Sequence, residues 1–315
     1  MAMLGKTANG LYWMYRYLER AENTSRLVET GQRIGLTRLG QDDDEWASVM
    51  QSASVLDAFR AGHDEVTKEA AIDWMLRAKD NPSSVLSTIS EARQNARMVR
   101  TALTHEVWEA MNGCYMAARD ILARKVSERD LPKVLGLIRQ RTALVRGATH
   151  GTMLRNDIYD FARIGTFLER GDNTARILDV KYYVLLPSAL SVGSSLDNVH
   201  WETILRSVSA RGGFRMAYGS QVNARDIAQF LILDRRMPRS LNFCASKIHD
   251  NLRYLVSDYG EETPSFHMAQ SLVDRFAHHD IDAVFESGLH EYIQSVLISF
   301  GQLGGQIEKD FRFYE

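Results

Sequence analysis

Two stretches of the chain share one helical pattern. In residues 11–28, apolar and small side chains recur at spacings of three and four, which is the period of one helix face. This row consists of Leu11, Met14, Leu18, Ala21, Ser25 and Val28. Residues 161–178 repeat the row with Phe161, Ile164, Leu168, Gly171, Ala175 and Leu178. Both stretches are therefore predicted to be helices with a buried face.

A ten-residue motif lies within each predicted helix. Residues 17–26 read Tyr-Leu-Glu-Arg-Ala-Glu-Asn-Thr-Ser-Arg, and residues 167–176 read Phe-Leu-Glu-Arg-Gly-Asp-Asn-Thr-Ala-Arg. On a wheel of about 100° per residue, the polar members follow one another beside the apolar row. They are Glu19, Glu22, Asn23 and Arg26 in the first copy, and Glu169, Asp172, Asn173 and Arg176 in the second. Each helix is expected to carry an acid-rich stripe next to its buried face.

The similarity continues outside the motif. The matching pairs are Trp46 with Trp201 and Phe59 with Phe214 at an offset of 155, and Pro82 with Pro238 at an offset of 156. Such self-similarity indicates an internal duplication. We predict an all-α bundle of two helical repeats, residues 1–150 and 151–315, packed as one continuous unit about a pseudo-twofold axis. The motif helices would face each other, with Ala21, Ser25, Gly171 and Ala175 permitting close approach.

Capping residues predict several helix starts. The first helix is expected to begin at residues 7–9 and to continue towards Ile34. Residues 35–44 are expected to form a connection, with Asp44 capping the next helix. Asn81 followed by Pro82 is typical of another helix start, because proline fits the first turn.

Composition narrows the class of protein. With 315 residues, of which 45% are hydrophobic, the chain can bury a substantial core. A formal net charge of −2 offers no basic excess for a nucleic-acid partner. Neither a signal peptide nor an apolar run of about 18 residues is visible, so no membrane association is expected. Cys114 and Cys244 do not correspond under the duplication and are expected to be buried free thiols in a cytoplasmic protein.

The polar motif residues form the candidate binding network. They are Glu19, Arg20, Glu22, Asn23, Arg26, Glu169, Arg170, Asp172, Asn173 and Arg176. We favour a buried ion-pair network that fixes how the two halves dock. One alternative is an anion or substrate pocket built from the arginines at positions 20, 26, 170 and 176.

A metal site is the weaker alternative. Its ligands would be Glu19, Glu22, Glu169 and Asp172, but these pairs lack the histidine of helical two-metal sites, and arginines lie beside them. No cofactor is therefore predicted. No local motif identifies a catalytic residue, so the sequence leaves open whether the protein is an enzyme.

Residues 3–26 and 167–176 resemble the Alpha-E family, a bacterial all-helical domain of unknown function with a duplicated Glu-Arg signature. The resemblance implies two partners, a circularly permuted ATP-grasp ligase and a transglutaminase-like protein, in a system that makes or modifies peptides through acyl phosphates. We therefore expect an accessory or substrate-holding component. The alternatives are a carboxylate-dependent enzyme, with or without a metal, that acts on peptides or amino acids, and a self-associating scaffold. Since Gly171 and Asp172 replace Ala21 and Glu22, the two copies are not expected to hold a ligand identically.

Overall fold

The structure is a computed structural model that describes residues 3–35, 42–185 and 195–314, without the side chains of residues 42–44 and 180–200. Within these ranges all repetitive backbone structure is helical and no strand occurs. The prediction of an all-α protein is confirmed for the described residues.

Helices of very different length follow one another along the chain. They are α1 (Gly5–Gly35), α2 (Asp42–Ser52), α3 (Leu56–Arg60), α4 (Lys68–Arg77), α5 (Val85–Met98), α6 (His105–Ile121), α7 (Leu131–Thr152), α8 (Asp157–Leu185), α9 (Ser195–Ser207), α10 (Arg211–Tyr218), α11 (Ala224–Ile232), α12 (Leu241–Tyr259), α13 (Pro264–His278), α14 (Ile281–Glu286) and α15 (Leu289–Asp310). A short 3-10 helix, Arg100–Ala102, lies between α5 and α6.

The two longest helices, α1 and α8, form the centre of the molecule. They pack against each other, α5 and α7 cover α1, and α12 and α15 cover α8. A helix that is surrounded by other helices buries more than one stripe. Both predicted apolar rows are buried, and so are Glu19, Asn23 and Glu169 on the predicted polar stripes. Packing from several sides thus puts charged side chains into the interior.

The close approach of α1 and α8 depends on a glycine outside the motif. A Cβ at Gly165 would lie 2.3 Å from the carbonyl oxygen of Tyr12, so only glycine allows this contact. Gly171, which we expected at this interface, faces α15 instead, where a Cβ would lie 2.6 Å from Cζ of Phe300. The predicted role of Gly171 is wrong because Gly171 lies on the face of α8 that packs against α15 and not on the face that meets α1.

Two predicted helix starts are also wrong. Ser84 caps α5 by accepting the backbone N–H of Ser87 at 3.2 Å. Asn81 closes the preceding turn, accepting the N–H of Ser83 at 2.9 Å and donating to the carbonyl of Trp74 at 3.0 Å. Likewise, α2 begins at Asp42, which places Asp44 inside the helix. The expected connection before α2 lies largely outside the described residues.

The core runs through the whole described chain. Trp46, Trp201, Phe59 and Phe214, all paired by the sequence repeat, are at most 1% exposed. Both cysteines are buried and free, as expected, and burial raises the pKa of each thiol to about 12. Among the described helices, none combines the length and apolarity that crossing a membrane requires.

Candidate functional site

The contact between α1 and α8 brings the two motifs together through a reciprocal exchange of ion pairs. Arg170 of α8 donates from Nε and Nη2 to the two carboxylate oxygens of Glu19 at 2.8 and 3.0 Å. Arg20 of α1 donates in the same way to Glu169, at 2.6 and 2.9 Å. Fork-shaped pairing of this kind fixes both distance and orientation. The Glu-Arg dipeptide of each helix therefore binds that of the other.

Glu19 and Glu22 form the first cluster together with the arginines that bind them. Arg26 donates to Oε1 of Glu22 from Nε at 3.2 Å and from Nη2 at 2.7 Å. Arg239, two residues before α12, donates to the same oxygen at 2.7 Å and lies 3.2 Å from Oε1 of Glu19. Both carboxylate side chains are 1% exposed.

Helix α7 completes the first cluster from the other side. The hydroxyl of Thr142 donates to Oε2 of Glu22 at 2.9 Å. Arg146 also binds Oε2 of Glu22 through Nη1, and the same nitrogen lies 3.4 Å from Oε2 of Glu19. Counting Arg170, four arginines thus surround two carboxylates, which leaves an excess of positive charge.

Glu169 and Asp172 form the second cluster with the arginines that bind them, and it is more open. Besides Arg20, Glu169 accepts a hydrogen bond from Nε of Arg16 at 3.0 Å. Asp172 is paired with Arg176, one turn later in α8, at 2.6 and 3.2 Å. The Asp172 side chain is 23% exposed.

Two serines hold the outer motif arginines in similar ways. Arg26 donates from Nη1 to Oγ of Ser209 at 2.8 Å, and Arg176 donates from Nη1 to Oγ of Ser54 at 2.6 Å. Ser54 and Ser209 both adopt the left-handed region, with φ of 55° and 54°, where non-glycine residues are uncommon. The strained turns after α2 and α9 therefore have the same role, each orienting one arginine.

The arginines keep Glu19, Glu22 and Glu169 ionised. Burial opposes ionisation of Glu19, but Arg170 and its other arginine neighbours outweigh burial and hold the pKa well below its usual range. Burial and repulsion by Glu19 are likewise outweighed at Glu22, chiefly by Arg239, which lowers its pKa to about 2. Glu169 is also buried, and its two arginines lower its pKa to about 2. Such groups are poorly matched to general acid–base catalysis near pH 7.

The four acids predicted as weak metal ligands do not form one ligand set. Glu19 and Glu22 lie in the first cluster, whereas Glu169 and Asp172 lie in the second, and all four carboxylates bind guanidinium groups. In the described ranges no group of three histidine, cysteine, aspartate or glutamate side chains is arranged to hold a metal ion. The absence of a cofactor remains a prediction.

A cavity of about 210 Å³, the motif cavity, opens beside the second cluster. Its walls come from α1, from the turns before α3 and α5, and from α8, and they include Arg20, Asn23, Thr24, Ser54, Ser83, Glu169, Asp172, Asn173 and Arg176. Asn23 and Asn173 are 3% and 5% exposed. Nδ2 of Asn23 and Oδ1 of Asn173 have no hydrogen-bond partner among the described residues. A buried donor and a buried acceptor are thus left unused in its wall.

All ten predicted motif residues lie in this region around the α1–α8 contact. Sequence reasoning missed Arg16, Thr142, Arg146 and Arg239. Arg16 lies one turn before Arg20 on the same helix, and that spacing was the available signal. The other three come from distant segments, so only the fold brings them to the carboxylates.

Comparison with known proteins gives a family and no activity. The Alpha-E family, described as a predicted alpha-helical domain with a conserved ER motif, matches residues 3–311. Relatives include an uncharacterized protein of Mycobacterium bovis, 24% identical, and one of Mycobacterium tuberculosis, 23% identical, each over 280 residues. Each match covers 82% of this chain but only 31% of the relative, so the chain spans about a third of their length. No solved structure matches significantly.

Proposed function

The chain belongs to the Alpha-E family, and we propose that it is a substrate-holding component of a bacterial ATP-grasp-type system that ligates or modifies peptides. The observation that carries the proposal is the pair of unused amide atoms in the wall of the motif cavity, Nδ2 of Asn23 and Oδ1 of Asn173. Holding a substrate requires polar groups that the protein itself leaves without a partner, and these two lie in the wall of a cavity.

The chemistry of the two asparagines matches a peptide group. A peptide unit offers one N–H donor and one carbonyl acceptor. Oδ1 of Asn173 can accept a hydrogen bond from the peptide N–H, and Nδ2 of Asn23 can donate one to the peptide carbonyl. Each buried group without a partner costs about 1–3 kcal/mol, so a ligand that satisfies both recovers that free energy. A cavity of about 210 Å³ corresponds to roughly seven waters of ~30 Å³ each, which suits a short peptide segment.

The ion pairs around the cavity supply rigidity. Arg20 and Glu169 line the cavity and are fixed by the exchange between α1 and α8. Preorganised walls reduce the ordering cost of binding. The lowered pKa values of Glu22 and Glu169 favour this role over the carboxylate-dependent enzyme. Self-association as a scaffold remains an untested alternative.

We further propose that the chain is an internal duplication, with repeats 1–150 and 151–315 related by a pseudo-twofold axis. The reciprocal Glu–Arg pairs support it, and so do the matching contacts of Arg26 with Ser209 and of Arg176 with Ser54. Ser84 and Ser240, 156 positions apart, also cap α5 and α12 in the same way. The motif cavity would then lie beside only one of two equivalent positions.

The proposed partners are the ATP-grasp ligase and the transglutaminase-like protein. Their identity rests on the family resemblance, and the mycobacterial relatives, of which this chain covers only 31%, are long enough to carry further domains in the same polypeptide. The partner proposal is tested by light scattering of this protein mixed with a circularly permuted ATP-grasp ligase from the same organism. A stable complex at micromolar concentration is expected, and two separate species would contradict the proposed partnership.

The holding function is tested with a defined mixture of dipeptides and tripeptides, analysed by native mass spectrometry. The wild-type protein should retain a subset of the mixture, and Asn173→Ala should lose it. The control is Asn112→Ala in α6, because Asn112 is bonded to Arg93 and is not part of the motif cavity. Equal retention by wild type and Asn173→Ala, or no retention by either, would overturn the proposal.

The stability of Asn173→Ala separates holding from architecture. Because Oδ1 of Asn173 has no described partner, its removal should leave the melting temperature unchanged or raised. A large loss of stability would instead make Asn173 part of the structural network.

A further inference from the structure

A second cavity, the arginine cavity, lies where α7 and α8 meet Tyr15 of α1 and has a volume of about 130 Å³. Three arginines line it, Arg146, Arg163 and Arg170, together with the hydroxyl-bearing Thr149 and Thr166. None of its lining residues carries a carboxylate, and none belongs to the motif cavity. The wall therefore combines positive charge with hydroxyl groups.

Two of these arginines have donors to spare. Arg146 uses Nη1 for both Glu19 and Glu22, and its Nε and Nη2 bind no other described residue. Arg163 donates from Nη1 to Nε2 of His150 at 3.0 Å and makes no ion pair within the described chain. Both guanidinium groups can therefore direct N–H donors at a ligand.

Neighbouring groups hold the side chains of Arg170 and Arg163 in place. Arg170 is held by its two bonds to Glu19 and contributes charge at a fixed place. Arg163 stacks on Phe167, with its Cζ 4.3 Å from the ring centroid. The arginine side chains are thus positioned before any ligand arrives.

His150 is neutral and holds Arg163 in place by a hydrogen bond. A guanidinium can only donate, so Nε2 of His150 accepts the bond from Arg163 and the proton resides on Nδ1. Nδ1 then donates to the hydroxyl of Tyr159 at 2.8 Å. Burial and the charge of Arg163 agree with this arrangement, because they lower the pKa of His150 to about 4. His150 orients Arg163 without adding or removing charge at neutral pH.

The excess of positive charge around the arginine cavity favours binding of an anion. Four arginines already surround Glu19 and Glu22, and Arg163 adds a further positive charge at the arginine cavity. This excess lies in a chain whose formal net charge is −2. A volume of about 130 Å³ corresponds to roughly four waters of ~30 Å³ each, which accommodates one tetrahedral oxyanion.

We propose that the arginine cavity binds an oxyanion of the phosphate class through Arg146, Arg163 and Arg170. Two sources share this chemistry, the free phosphate ion and a phosphoryl group carried by a larger molecule. Arginine is suited to both, since its planar fork places two donors on neighbouring oxygens. The proposal does not depend on peptide binding in the motif cavity.

The test is isothermal titration calorimetry of the full chain with inorganic phosphate and with phenyl phosphate at constant ionic strength. Wild type should show saturable binding of phosphate, and Arg163→Gln should weaken binding about tenfold or more. The control is Arg225→Gln, because Arg225 forms an exposed pair with Asp282 away from the cavity. Phenyl phosphate binding would place the phosphoryl group on a larger molecule, and binding of phosphate alone would identify the free ion as the source.

Absence of saturable binding to wild type would overturn the proposal, and so would equal affinity in Arg163→Gln. Thermal melting of the variant checks that it is folded. If it is not, Arg163→Lys replaces it, because lysine keeps the charge but loses the fork. Binding by Arg163→Lys should still be several-fold weaker than wild type, and unchanged binding would contradict the assigned role of Arg163.

Discussion

The first and second clusters carry almost the same motif but differ in how completely they are enclosed. Glu22 is 1% exposed and is bound by three arginines and a threonine. Its counterpart in the motif, Asp172, is 23% exposed and is paired with Arg176 of its own helix. Only the second cluster borders the motif cavity. Similar motifs thus give carboxylates that are fully buried in the first cluster and acids that border the motif cavity in the second.

One pair of residues accounts for much of this difference. Under the proposed duplication Arg239 corresponds to Ser83, because both directly follow the matched prolines at an offset of 156. Arg239 extends to Glu19 and Glu22 and fills the space beside the first cluster. Ser83 is small and lines the motif cavity. The motif cavity therefore occupies the position beside Ser83 that corresponds to the space filled by the Arg239 side chain in the second repeat.

The largest expected effect is on the first cluster. Glu19→Gln removes the buried negative charge that Arg170 and Arg239 bind. Breaking a buried ion pair by removing one partner costs roughly 3–5 kcal/mol. The free energy of unfolding in urea measures this loss. The control is Glu202→Gln, where the carboxylate is 30% exposed and pairs with Arg206 and Arg211. Similar small losses in both variants would show that the first cluster is not a buried network.

Acid should destabilise the protein through the same carboxylates. The pKa values of Glu22 and Glu169 are lowered from 4.5 to about 2, so the unfolded chain binds protons that the folded chain does not. The stability that these two groups contribute is therefore complete above about pH 4.5 and is lost as the pH falls towards 2, by up to about 1.4 kcal/mol per pH unit for each group. Urea unfolding between pH 6 and 2.5 checks this. A curve without decline below pH 4.5 would contradict the assigned ion pairs.

Glu169→Gln should cost less than Glu19→Gln. Its partners Arg16 and Arg20 are 16% and 27% exposed, so water can solvate them when the charge is removed. We expect a loss of about 1.5–3 kcal/mol, the range for hydrogen bonds to charged groups. Urea unfolding of both variants under identical conditions gives the ranking. A larger loss for Glu169→Gln would reverse the comparison between the clusters.

The smallest effect on stability is expected for Ser83→Arg. The new side chain would enter the motif cavity, where Glu169 and Asp172 can bind it, and stability should change by about 1 kcal/mol or less. Retention of the peptide mixture should nevertheless be lost, because the cavity is filled. Thermal melting and native mass spectrometry measure the two effects. Retention at the wild-type level would show that the ligand binds elsewhere.

The sequence predicted the elements that depend on local pattern. The apolar rows located α1 and α8, and the motif predicted that its polar residues would meet at their contact. The missed features depend on the packing of distant segments. Arg239 lies more than 200 positions from the carboxylates it binds, and no periodic pattern marks it. The motif cavity depends on the small size of Ser83, which has meaning only once the surrounding helices are placed.

The most direct test of the reciprocal exchange is a double-mutant cycle with Glu19→Gln, Arg170→Gln and the combined variant. The free energies of unfolding in urea give the coupling between the two side chains. For a buried bidentate pair we predict a favourable coupling of about 1–3 kcal/mol. A coupling near zero would show that Glu19 and Arg170 do not stabilise the α1–α8 contact and would contradict the account.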